Sequence, residues 1–254
     1  MTTMLKQLEE FYLKNGILST HFTCKYKDDC KGDCENFTGP KSAYIGEGYE
    51  AGKLPRLLFV SLDSGDGAEE AEHRLPVAVR DSERETVVED LLKGKPKYWH
   101  WYFTYKLAWY ILKRFDSKFE KADDVKGFFA HANSAKCCMN NDGRAQADDR
   151  LFENCRGYLE GELKVLAPQL LVTQGQKAVA AIHSFRGDEI ETIDKWASVV
   201  MLLGKPVFWL HTHHPSYYVK SGGPDEFYKQ VNNHERWEFY ADKMHRFINH
   251  PPGS

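Results

Sequence analysis

Six cysteines fall into two groups in this 254-residue chain: Cys24, Cys30 and Cys34 upstream, then Cys137, Cys138 and Cys155 in the middle. Thiolates at such spacings suit soft metals and iron–sulfur clusters. The upstream three lie in HFTCKYKDDCKGDCENFTGPK, a charged, glycine-bearing run that reads as loop. A free cysteine ordinarily behaves as a small buried hydrophobe and is out of place there. The spacing favours a metal or cluster site; the plainer alternative is a set of inert thiols tucked beneath the loop. Three other places carry groups for acid–base or electrostatic chemistry. Asp63 follows the apolar run LLFVSL, Asn133 closes the run FFAHA, and His211, His213 and His214 crowd the segment HTHHPS. Asp63 is either a chemical group or a turn and capping residue. The histidines read either as loop residues or as ligands of a hydrolase's metal.

The elements that must position these groups come next. Residues 4–15 carry Leu5, Leu8, Phe11 and Tyr12 at helical spacing, and Asn15-Gly16 provides the stop. Residues 57–62 form a short buried strand between Pro55 and the turn DSGDG. Ligands of open α/β sheets sit beyond the carboxyl ends of such strands, which is where Asp63 falls. A helix is expected over 82–92. The block KYWHWYFTYKLAWYILKRF places Phe103, Leu107, Tyr110, Ile111 and Arg114 along one further helix, with Trp99, His100 and Trp101 crowding its start. That pattern suits an aromatic core helix, and equally rings that stack on a planar ligand beside the lysines before them. A strand over 128–132 ends at Asn133. Asp148 or Asp149 caps a helix running to about Leu166, with Cys155 on it. Strands over 170–173 and 207–210, a helix over 177–185 and a polar-amphipathic helix over 225–247 complete the series. Strands alternating with helices predict an α/β fold with a mostly parallel sheet.

Hydrophobic content of 42% supports a sizeable core, and 28% charged residues a polar surface. The formal net charge of −3 excludes a wholly basic nucleic-acid wrapper and leaves room for a local basic groove. No apolar run approaches the roughly 18 residues of a membrane span. The N-terminus is amphipathic and acidic, unlike a signal peptide. A cytoplasmic, single-domain monomer with free or metal-bound cysteines is the expectation.

Four pieces, in this order, resemble the iron–sulfur uracil-DNA glycosylases of the uracil-DNA glycosylase superfamily, over roughly residues 24–247. VSLDSG stands where that family has Val-Gly-Glu-Ala-Pro-Gly. NSAKC, from Asn133 to Cys137, is similar to Asn-Val-Val-Lys-Cys. ENCRGYL followed by LAPQLLVTQG resembles the family's cysteine helix and Pro-Lys-Val-Ile-Val-Ala-Leu-Gly. HHPS resembles its His-Pro-Ser loop. The resemblance implies a three-layer α/β/α sandwich around a central, mostly parallel four-stranded sheet, one domain over 1–254 with an N-terminal cysteine-bearing loop.

It also implies a [4Fe–4S] cluster on Cys30, Cys34, Cys137 and Cys155, with Cys24 as substitute because Cys30 and Cys34 are spaced one residue wider than the family's pair. Zinc would use similar ligands. The implied reaction is hydrolysis of the bond between a flipped pyrimidine and deoxyribose. His214 would donate to the pyrimidine O2. The family's glutamate position falls on Leu62, and the carboxylate role passes to Asp63, where the classical uracil enzymes carry aspartate. Asn133 would read the Watson–Crick edge, and Trp99 and Trp101 would stack on the base. Gly65, Ser216, Tyr217 and Lys220 would contact DNA, with Arg144 and Arg156 as weaker candidates. The family's Pro-Phe-Val-Gly piece has no counterpart, and a longer charged stretch stands in its place. A rebuilt pocket points to a modified cytosine, such as glucosylated 5-hydroxymethylcytosine in phage DNA, and so to antiviral defence. Uracil repair, a non-catalytic iron–sulfur DNA-binding protein and a histidine metal hydrolase are the alternatives.

Overall fold

A computed structural model describes residues 2–64, 70–93, 99–139, 147–215 and 234–251. In chain order the elements are α1 (Met4–Lys14), β1 (Ile17–Leu18), β2 (His21–Phe22), α2 (Lys27–Lys31), β3 (Phe37–Thr38), β4 (Tyr44–Ile45), α3 (Glu47–Glu50), β5 (Leu57–Ser61), α4 (Pro76–Glu85), α5 (Asp90–Lys93), α6 (Trp99–Leu112), β6 (Phe129–Asn133), β7 (Cys138–Met139), α7 (Asp149–Leu166), β8 (Leu170–Gln174), α8 (Gln176–His183), β9 (Arg186–Asp194), β10 (Ala197–Leu202), β11 (Lys205–Thr212) and α9 (His234–Asn249). No helix among the described residues is long and apolar enough to cross a membrane.

The main sheet has seven strands in the order β4-β6-β5-β8-β11-β10-β9. Its middle four, β6, β5, β8 and β11, are parallel, and they are the four runs whose apolar character marks them in the sequence. The expected four-stranded sheet is therefore enlarged to a mixed one of seven. β4 adds antiparallel to β6, and β10 and β9 add as an antiparallel meander beyond β11. Two of the additions leave little trace in sequence. β4 pairs through only two residues of a segment that reads as loop. β9, RGDEIETID, is a charged edge strand whose side chains are mostly exposed on both faces, so it shows no alternation of apolar residues.

Alternation along the parallel strands divides the core in two. Leu57, Phe59, Phe129, Leu170, Val172, Phe208 and Leu210 face α6 and α9. Leu58, Val60, Ala130, Ala132, Leu171 and Trp209 face α1, α7 and α8. This is a layer of helices on each face of the sheet. The expected helix over 82–92 begins earlier, at Pro76, and breaks after Glu85. α7 is capped by Asp148, whose carboxylate accepts from the Arg150 N–H at 3.0 Å. It lies close against α1: a Cβ at Gly161 would meet the Phe11 ring at 2.2 Å.

Candidate functional site at the carboxyl edge of the sheet

The four parallel strands deliver their last residues to one edge. Ser61 of β5 stands beside Asn133 of β6, and Gln174 of β8 beside Thr212 of β11. Ser61, His131, Asn133 and Gln174 continue the strand face that packs on α6, and Ser61, His131 and Gln174 contact the first two turns of that helix. The Ser61 hydroxyl donates to Gln174 Oε1 at 2.6 Å and lies 2.8 Å from His131 Nε2 and 3.4 Å from His100 Nε2. A hydroxyl has one proton to give, so the His131 ring must supply the N–H in its bond to Ser61. Gln174 Nε2 donates to Thr104 Oγ1 at 3.0 Å, and Thr104 donates to the His100 carbonyl at 2.9 Å. The result is a buried polar chain linking β5, β6 and β8 to α6.

His214 joins this group from the end of β11. Its ring stacks on His100 with centroids 5.2 Å apart and planes 20° apart. Trp101 lies over His131 at 4.6 Å. His131 is buried, whereas His100, Trp101 and His214 keep part of their surface open. Burial lowers His214 to a pKa of about 4. It lowers His131, together with the nearby Lys136 and Lys41 charges, to about 3. His100 is held well below its ordinary value, by burial first and then by the two other imidazoles. All three rings are therefore neutral at pH 7. Gly175, at φ 101°, turns β8 into α8 where a Cβ would stand 3.1 Å from both the His214 Cβ and the Leu62 side chain. Only glycine lets these three strand ends close up.

Asp63 leaves the end of β5, two residues past Ser61. Burial raises its carboxyl above the ordinary value. The Cys138 thiol donates to its Oδ2 at 3.4 Å and works the other way. Buried Arg74 donates to Ser64 Oγ at 2.7 Å and so pins the turn that carries Asp63. Asn133, 7% exposed, ends β6 next to Ser61. Trp99 packs against the α6-side core, and its indole Nε1 is buried without a hydrogen-bond partner among the described residues. Gly65, Ser216, Tyr217, Lys220 and Arg144 lie outside the described residues, and Arg156 is exposed on α7.

The three histidines of HTHH part company. His211 packs on Trp209 at 4.1 Å and His213 on Trp196 at 5.2 Å, while His214 stacks on His100. Among the described residues the three are not gathered into a metal-holding group, and the hydrolase alternative lacks that ligand set there.

One small apolar cavity is lined by Cys24, Cys30, Cys137 and Cys155. α7 supplies Cys155, the turn after β6 supplies Cys137, and the short helix α2 carries Cys30 near its end, with Cys24 just before the helix. Cys34 lies beyond Gly32, where φ is 48°, and is buried in the same apolar cluster as Cys30 and Cys137, together with Ala135, Met139, Leu151 and Phe152, without lining the cavity. Of the upstream three, the cavity is lined by Cys30 and by Cys24, the expected substitute, while Cys34 of the expected pair lies beside it. Burial and mutual proximity raise the Cys137 and Cys155 thiols, the latter to about 12. Among the described residues no three His, Cys, Asp or Glu side chains are gathered into a ready metal-holding group. Four thiols on one apolar cavity are nonetheless the donor set that a thiophilic metal or an iron–sulfur cluster takes. The segment bearing Cys137 is anchored by the ion pair of Lys136 with Glu162, both fully buried, and Tyr12 donates to the same carboxylate.

Four residues without an expected role thus enter the site, Ser61, His131, Gln174 and Cys138, and they meet His100, one of the rings expected at the start of α6. His131 was discoverable as the residue two before Asn133 on the same strand face. Cys138 had no signal beyond adjacency to Cys137. No family model matches the chain, and no curated protein is similar enough to count as a relative.

Proposed function

We propose that this chain is a DNA glycosylase that hydrolyses the N-glycosidic bond of a flipped pyrimidine and leaves an abasic site. The observation that carries this reading is the neutral His214, stacked on His100 at the sheet edge where β5 and β6 deliver Asp63 and Asn133. Cleavage puts negative charge on the departing base and positive charge on the sugar. A neutral imidazole can donate its N–H to the pyrimidine O2 and stabilise the first. An ionised Asp63 can face the cationic sugar and orient water toward C1′. The amide of Asn133 offers both a donor and an acceptor to the Watson–Crick edge. Extrusion of the base from the duplex must come first, at a cost of a few kcal/mol for unstacking.

The substrate proposed is a modified cytosine, of which the glucosylated 5-hydroxymethylcytosine of phage DNA is the leading case. Support comes from the rings gathered at this sheet edge. The aromatic start of α6 packs Trp101 and His100 against His131 and His214, where the resembling family uses a short phenylalanine segment. A [4Fe–4S] cluster held by Cys24, Cys30, Cys137 and Cys155 would supply a rigid structural tie away from the scissile bond. The DNA partner, monomeric state and cytoplasmic location belong to the same proposal. The deciding assay measures free base released from uracil-containing, hydroxymethylated and glucosylated DNA side by side. Release from glucosylated DNA alone is expected. Release from uracil DNA alone moves the chain to repair. DNA binding without any abasic product overturns the catalytic reading.

A further inference from the structure

The first turns of α7 present Asn154, Cys155 and Tyr158 toward the thiol cavity, and all three line it. Residues three and four apart share a helix face, so Cys155 sits between two polar neighbours of its own helix. Each neighbour reaches a cysteine from the N-terminal loop. The Tyr158 hydroxyl lies 3.2 Å from Cys24 Sγ, and the Tyr26 N–H also donates to that sulfur at 3.4 Å. Asn154 Nδ2 lies 3.3 Å from Cys30 Sγ and 2.8 Å from Asp29 Oδ2. Only the NH2 end of an amide can face a carboxylate, so the orientation of Asn154 is settled: one N–H serves Asp29 and the other Cys30. The Lys136 N–H donates to Cys155 Sγ at 3.3 Å. Three of the four sulfurs on the cavity therefore have a donor within reach.

Sulfur is a weak acceptor as a thiol and a strong one as a thiolate. Donors converging on buried sulfurs suit the thiolate form, and buried thiolates demand a cation among them. Outer-shell donors of this kind orient metal ligands and contribute to affinity. Taking the thiol cavity as a metal or cluster site, we infer that Tyr158 and Asn154 are positioning residues that hold Cys24 and Cys30 as ligand sulfurs, and that Cys34 is not a ligand. The chain thereby recruits an upstream pair with five residues between its cysteines, selected by two side chains of α7.

The full-length chain is purified anaerobically after expression with iron and, separately, with zinc. Metal per chain, sulfur-to-metal absorption and the rate of metal release to a chelator are measured for wild type, Cys24→Ser, Cys34→Ser, Tyr158→Phe and Asn154→Ala. Loss of metal is expected in Cys24→Ser and retention in Cys34→Ser. Because Cys34 is the more deeply buried of the two, misfolding would produce the opposite order. Tyr158→Phe and Asn154→Ala are expected to keep metal and release it about tenfold faster or more. Retention in Cys24→Ser with loss in Cys34→Ser, or wild-type release from both α7 variants, overturns this inference and leaves the metal site standing. A wild-type chain that takes up neither iron nor zinc overturns both.

Discussion

In the proposed reaction His214 donates a hydrogen bond without carrying a charge, and its partial burial favours the neutral ring. Its pKa of about 4 keeps the imidazole neutral through the physiological range. Replacing His214 with Ala removes one preorganised donor and is expected to slow base release by about 10²–10³-fold. The role proposed for Asp63 has the opposite requirement: the carboxyl would act ionised, yet burial raises it. The acid limb of the rate profile should therefore follow Asp63, with activity falling as pH drops through that raised value. Cys138→Ala removes the thiol donor that favours the ionised form and should move this limb to higher pH, while Cys138→Ser, which keeps a donor, should leave it in place. An unmoved limb in Cys138→Ala would separate Asp63 from the reaction. Asp63→Asn is expected to lose about 10²–10⁴-fold in turnover with DNA affinity retained; an active variant would discard the assignment. The importance of Cys138 was not legible in sequence. Its contact with Asp63 bridges 75 positions, and local spacing carries no information about such a pair.

At the level of elements, the turn between β6 and β7 is where the two halves of the site meet. It carries Asn133 at one end and Cys137 and Cys138 at the other. Lys136 between them is anchored to Glu162 of α7 in a fully buried pair. Breaking such a pair leaves an uncompensated buried charge, so Glu162→Ala should destabilise the fold by about 3–5 kcal/mol in urea denaturation. A loss below about 1 kcal/mol, the range of exposed pairs, would show that the pair is not the anchor. The four parallel strands were legible because burial on both faces makes each a continuous apolar run. α7 was legible because its cap and its stripe of Leu159, Leu163 and Leu166 are local signals. β9 and β4 were not, since their strand state comes from pairing with β10 and β6 rather than from their own composition.

For the whole molecule, the buried imidazoles link stability to pH. His131, His211 and His214 have folded values of about 3, 4 and 4, against about 6.5 for an imidazole in the unfolded chain. Below pH 6.5 the unfolded state binds protons that the folded state does not, and stability falls as pH drops toward 4. The urea midpoint should decline from pH 7 to pH 5, and His131→Gln should show a shallower decline. A midpoint in His131→Gln that falls as steeply as wild type would remove His131 from this account. For the proposed DNA partner, a net charge of −3 would confine attraction to a local surface, so affinity should weaken with salt along a slope of only a few phosphate contacts.

The sequence by itself determined the alternation of strands and helices, the apolar cores of the four central strands, and the arrival of Asp63, Asn133 and His214 at strand ends. These are consequences of local periodicity, and periodicity is written residue by residue. Tertiary structure alone decided which cysteines share a cavity, that the three histidines of HTHH diverge, and that His100 and His131 complete the group around His214. Those outcomes depend on which strand lies beside which, and on a helix turn laid across strands up to 70 or more residues away. No local pattern encodes a distance of that kind; it arises only when the sheet and its two helical layers close around a common core.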